Sequence, residues 1–177
     1  MKNLKNNKGF TLVELLAVIV VLAIVMGLAV VGITSVLDNT RKSAFASDAR
    51  SYLQGAHSLV QADEASVLLG GTATYAPSCA GASGSKDTKT FSIDKIPLDN
   101  GGKSPYGNEY VDTGDTGSMI KVETEVQSDG SCKYTYSIFL TDGSYQVGST
   151  TGSGTSRNIT YVTEADINAS QVKIKTS

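Results

Sequence analysis

The chain has 177 residues, with 15 Lys and Arg against 17 Asp and Glu. That length holds one compact domain plus an appendage rather than two full domains, and the near balance of charge argues against a sequence-specific nucleic-acid binder, which needs a basic face. Lys2, Lys5 and Lys8 all fall in the first eight residues, so removing that segment leaves 12 basic against 17 acidic groups, a net charge of −5.

The first element follows this basic start. Leu15 to Ile33 reads LLAVIVVLAIVMGLAVVGI, without a charge or a strong hydrogen-bonding side chain. As a helix it spans roughly 28 Å, close to the hydrocarbon thickness of a bilayer. A soluble core helix carries a polar stripe, and none is present. The pattern predicts a membrane span, with the lysine-rich end in the cytoplasm. A secretory signal peptide shares the basic start, but its apolar stretch is shorter and ends at a small-residue cleavage site. An ordinary single-span anchor fits the hydropathy equally well and leaves Glu14 unexplained. A carboxylate at the membrane end of an apolar helix is costly and usually has a partner; the plainer reading leaves it wet at the headgroup level.

The string Lys8-Gly9-Phe10-Thr11-Leu12-Val13-Glu14-Leu15-Leu16 resembles the class III signal of type IV prepilins and type II secretion pseudopilins. The resemblance implies cleavage between Gly9 and Phe10 by a membrane prepilin peptidase and N-methylation of the new amine on Phe10. It also implies that Glu14 meets the Phe10 amine of a neighbouring subunit during assembly. Amine and carboxylate are both charged at neutral pH, and pairing them in a low-dielectric bundle removes two uncompensated charges together. Glu14 is then a register key, as a single polar core residue is in a coiled coil. Many family members carry a Pro in this span; none occurs here between Phe10 and Leu59, where Gly27 and Gly32 are the weak points expected.

The helix is expected to continue to Leu69, with apolar recurrences at Phe45, Ala49, Leu53, Ala56, Val60, Val67 and Leu68. Gly70-Gly71 is a stop signal. Residues 72–117 then read as loop, small and polar and punctuated by Pro77, Pro97, Asn100-Gly101-Gly102 and Pro105. Alternation over Met119–Val126, a Ser128-Asp129-Gly130 turn, a second strand from Cys132 to Leu140, an Asp142-Gly143 turn and a short strand at Ser144–Val147 predict an antiparallel meander. Gly148–Ser156 reads as a surface loop and Asn158–Val162 as a fourth strand. Thr163 is a candidate cap for a turn at Glu164–Asp166, and Gln171–Lys175 is a candidate edge strand. The two cysteines of an exported head, Cys79 and Cys132, most simply form one disulfide.

The organisation expected is a leader (1–9), a membrane and assembly helix (10–37) and an extracytoplasmic head (38–177). The head comprises helix 38–69, loop 72–117, sheet 118–147 and a C-terminal region 148–177. The fold class is α+β, the type IV pilin lollipop, with the long helix on an antiparallel sheet of three to five strands. The head departs from the family, whose paired cysteines often bracket a C-terminal loop; here 45 residues follow Cys132. Ser104-Pro105-Tyr106-Gly107-Asn108-Glu109-Tyr110 resembles the Asp-Pro-Trp-Gly-Asn-x-Tyr motif of major pseudopilins, with Ser104 for Asp and Tyr106 for Trp.

No catalytic constellation stands out, and the chain reads as a structural subunit rather than an enzyme. The single histidine, His57, reads as a solvated or packed helix residue. Asp99, Asp112 and Asp115, with Asn100, are weak candidate ligands for Ca²⁺, a cofactor suggested by the calcium loop of major pseudopilins; otherwise they are solvated turn residues and the chain needs no cofactor. The partners expected are other pilin subunits in a homopolymeric filament, the prepilin peptidase, the pilus assembly platform and the cytoplasmic membrane, with no sequence-specific nucleic acid. Localisation follows as a single-pass membrane precursor and then an extracellular pilus, with adhesion, twitching movement or DNA uptake belonging to the whole machine. A pseudopilin of a secretion or competence system is the alternative.

Overall fold

The computed structural model describes residues 10–96, 101–112, 117–152 and 157–175, the side chains of 29–32 excepted. Its first element, α1, runs Leu12–Leu68, 57 residues without a break. Two units divide the chain, Met1–Thr40 and Arg41–Ser177, and each is taken by itself.

In the first unit α1 is apolar on every side. All its described side chains from Leu12 to Leu28 are exposed, including Val20 at 50% and Leu22 at 48%. Among the described residues nothing covers these side chains. Leu, Ala and Met favour the helix here, while Val and Ile, which have lower helix propensity, supply much of its apolar surface; Gly27 meets nothing within 4 Å, so it creates no close approach among the described residues.

In the second unit the helix becomes amphipathic. Phe45, Ala49, Tyr52, Leu53, Ala56 and Val60 recur at helical spacing and are all nearly or fully buried. Their cover is a sheet of six strands among the described residues: β1 (Lys86–Ser92), β2 (Met119–Val126), β3 (Cys132–Thr141), β4 (Tyr145–Val147), β7 (Val162–Thr163) and β8 (Val172–Ile174). The path is β1-β2-β3-β4-β8, with β7 pairing β3, and every ladder is antiparallel. Ile120 and Val122 of β2 and Ile138 and Leu140 of β3 form the inner face, opposite α1. A separate ribbon, β5 (Ser149–Thr151) with β6 (Asn158–Thr160), lies off this path. Fully buried Phe139 points to the other face of β3 and is covered by the Arg157 guanidinium, 5.2 Å from its ring centre.

The α+β reading and the β2-β3-β4 meander hold, and four details differ. Residues 72–117 are not all loop, since β1 lies within them. Its sequence, Lys-Asp-Thr-Lys-Thr-Phe-Ser, shows no apolar alternation because it is an edge strand anchored on the inner face by Phe91. The sheet is consequently wider than three to five strands. Gly148–Ser156 contributes β5, and the expected strand over Asn158–Val162 divides between β6 and β7. Val67 and Leu68 continue the helical period yet are 44% and 88% exposed, since nothing among the described residues covers the last turn. Thr163 does not cap the turn after it; its hydroxyl donates to the Asp166 carboxylate instead.

One close approach was not evident from the sequence. A Cβ at Gly55 would collide with Ile96 Cγ2, so glycine lets the Ile93–Ile96 turn lie directly on α1.

Candidate assembly site

Helix α1 begins at Leu12, directly after Thr11. Thr11 donates its N–H (2.9 Å) and its hydroxyl (3.0 Å) to Glu14 Oε2, and Glu14 donates its N–H back to Thr11 Oγ1 (3.3 Å). The Leu15 N–H closes the first helical bond on the Thr11 carbonyl at 3.2 Å. This is a capping box, in which a Thr and a Glu three residues on satisfy each other's helix-end groups. The spacing Thr11-x-x-Glu14 before an apolar run carries that signal, which hydropathy alone passes over. Phe10, immediately before the cap, is 91% exposed. Gly9 lies outside the described residues.

Among the described residues, α1 is the one helix long and apolar enough to cross a membrane, by length and composition. At its end sit an exposed aromatic residue, a threonine cap and a carboxylate. Residues 4–30 match the family described as the prokaryotic N-terminal methylation motif. The chain carries a prepilin-type signal. That motif is the class III signal of type IV pilins and pseudopilins; it supports placing the chain among them, and it fits a membrane-anchored precursor. It is a motif of structural subunits, and it implies processing by a prepilin peptidase and assembly with other subunits in a membrane system. No curated protein matches the chain, and no solved structure does.

In the head, Cys79 and Cys132 are joined in a disulfide, with Cα atoms 6.0 Å apart. The bond ties the segment before β1 to the first residue of β3. The same segment is held by Thr124, whose hydroxyl donates to the Ser78 carbonyl (2.9 Å), and by Asp87, whose carboxylate accepts the Ser78 N–H (2.6 Å). Asp63, on α1, accepts the N–H groups of Thr74, Tyr75 and Ala76 at 2.7, 2.6 and 2.8 Å on one oxygen. Desolvation opposes its ionised form, but the three donors and Lys89 outweigh it and hold the carboxyl below the usual range. Sequence reasoning missed Asp63 because its partners lie eleven to thirteen residues away, across the Gly70-Gly71 stop.

The turn that resembles the pseudopilin motif is anchored by Asp142. Ser104 donates its hydroxyl to Asp142 Oδ2 at 2.6 Å, while Ser144 and Tyr145 donate N–H groups to Oδ1 at 2.9 and 2.7 Å. Tyr106 stacks on Tyr145 with ring centres 3.6 Å apart. Tyr110 donates its hydroxyl to Asp48 on α1 (2.7 Å); burial raises the Asp48 carboxyl above its ordinary value despite that bond. His57 is packed, stacking on Tyr136 with its Nε2 3.0 Å from Glu164 Oε2.

Of the calcium candidates, Asp112 is exposed and its carbonyl accepts the Ser92 hydroxyl. Asp99 and Asp115 lie outside the described residues. Among the described residues no three His, Cys, Asp or Glu side chains converge as a metal site.

Proposed function

We propose that the chain is a structural subunit of a type IV pilus filament, assembled through α1 after its leader is removed. The observation that carries this reading is the exposed apolar helix of the first unit, begun by Phe10, Thr11 and Glu14 and matched by the methylation motif. A surface apolar on every side is stable in lipid or against other copies of itself, and not in water.

Cleavage falls between Gly9 and Phe10, and the amine so released on Phe10 is methylated. In the membrane Glu14 is a costly charge. In the filament it pairs with the Phe10 amine of a neighbour, which makes assembly the better state for both groups. The precursor is a single-pass protein with its lysine-rich end in the cytoplasm, and the disulfide-bonded head faces the outside. A pseudopilin of a secretion or competence system is the second reading, favoured by the Ser104–Tyr110 turn with its anchor on Asp142.

Mass spectrometry of the protein from membranes and sheared surface material tests the processing step. The expected chain begins at Phe10 and carries one methyl group. An intact Met1 start, or a cut beyond Ile33, would contradict both readings.

A further inference from the structure

In the head, a cavity of about 390 Å³ is lined by Tyr52, Tyr110, Ile93 and Ile96 and by the exposed residues Asp94, Glu109 and Asp112. Tyr52 is only 3% exposed, its ring edge-on to Tyr110 with centres 5.7 Å apart. Its hydroxyl makes no hydrogen bond to any described residue, since the neighbouring Asp48 carboxylate accepts the Tyr110 hydroxyl instead (2.7 Å). A buried hydroxyl normally has a partner, so an orphan on a cavity wall points to a group that enters the cavity. Burial and the charges of Asp48 and Asp112 push the Tyr52 phenol up to about 12. It is therefore neutral, and its oxygen can accept a hydrogen bond.

The charge around this hydroxyl selects the group. Among the described residues no Lys, Arg or His lines the cavity. Asp94 pairs with Lys95 at 2.5 Å, and no ion pair reaches Glu109 or Asp112. These carboxylates do not converge as a metal site, whereas Ca²⁺ needs six to eight oxygens at about 2.3–2.6 Å. An organic cation has no such requirement. An ammonium carries three donors that can reach separate acceptors, aromatic faces attract it, and apolar walls cover its alkyl stem. We propose that the cavity binds an alkylammonium group, its stem on Ile93, Ile96 and the tyrosine rings and its N–H groups on the Tyr52 oxygen and the Glu109 and Asp112 carboxylates. This site is independent of the assembly helix and of the assembly reading.

Two amines test it on the full-length protein in lipid bicelles: cadaverine, and lysine with its α-amine acetylated and its carboxyl made a methylamide. Methyl NMR signals of Ile93 and Ile96 read the cavity walls. Saturable shifts are expected at or below about 1 mM. Binding of cadaverine alone assigns the site to a free amine, and binding of both assigns it to a lysine side chain of another protein. Tyr52→Phe keeps the ring and removes the hydroxyl. It should weaken binding by about tenfold, the effect of one hydrogen bond to a charged group, and leave the denaturation midpoint of the head unchanged. Asp112→Asn should weaken binding by about threefold, an effect that added salt diminishes. No shift with either amine up to about 10 mM overturns the inference, as does equal binding by Tyr52→Phe. Signals that move with Ca²⁺ and with neither amine would also overturn it, by making the cavity a metal site. A loss of head stability in Tyr52→Phe would do so too, by showing that the hydroxyl has a partner within the chain.

Discussion

The two parts of α1 share one backbone geometry and differ in what their side chains meet. From Leu12 to Leu28 the helix is apolar all round and exposed, whereas from Phe45 to Val60 one stripe is buried against the sheet and the opposite side is polar. The second part is stabilised within its own chain by the core it closes. For the first, the described residues supply a capping box at its end and no cover, so its apolar surface needs lipid or other copies. Changes in the head are therefore expected to alter head stability and leave processing untouched, and the loss of Glu14 to abolish assembly and leave both processing and head stability untouched.

Breaking the Cys79–Cys132 bond gives the largest effect expected on the head side. The sequence separation is 53 residues, and in the chain-entropy model such a loop contributes about 4 kcal/mol. Chemical denaturation of the membrane-extracted protein should show that loss in Cys79→Ser/Cys132→Ser, with the N-terminus still processed at Phe10. An unchanged denaturation midpoint would mean that the disulfide does not constrain the head.

Gly55→Ala comes next. The added methyl meets Ile96 Cγ2, and overpacking of a closed core costs about 1–3 kcal/mol. Ile96→Ala removes the Cγ2 methyl from the same contact, and in the Gly55→Ala background it should cost less than it does alone. Additive destabilisation by the two changes would show that the sites do not share this contact.

Asp63→Asn is the mildest, at about 1 kcal/mol or less because solvent screens the site. Its value lies in the pH dependence. The folded carboxyl titrates below its unfolded value near 3.9, so its contribution is complete above that value and is lost as pH falls through the lower, folded one. The variant should therefore be less stable than the parent at pH 7, the gap closing as the medium is acidified below about pH 4. A gap constant across that window would mean that the charge of Asp63 does not hold the 74–76 segment. Asp48, whose carboxyl is raised by burial, has the opposite sign and is unaffected by this change.

How much of this was legible in the sequence depended on the range of the interactions. The apolar run and the β2 and β3 alternation are local patterns, and they read correctly as helix and strands. The capping box is equally local, in Thr11-Leu12-Val13-Glu14, and was obscured only by attention to charge and hydropathy. β1 was hidden because six of its seven residues are polar, and its pairing with β2 is what makes it a strand. Asp63 and Asp142 anchor loops by accepting backbone N–H groups, and no residue pattern marks those partners. Val67 and Leu68 mislead in the other direction: periodicity states which face a residue lies on, and not whether anything covers it.

Glu14→Ala tests the division between the two parts of α1 most directly. A broken buried ion pair costs about 3–5 kcal/mol, a factor of roughly one hundred to several thousand in an association constant. The measurement is the amount of processed protein in the cytoplasmic membrane and in sheared filaments, alongside the denaturation midpoint of the head. The expected result is full processing, an unchanged head midpoint, accumulation in the membrane and no filaments. Normal filaments from this variant would contradict the account and return Glu14 to a solvated residue at the membrane surface.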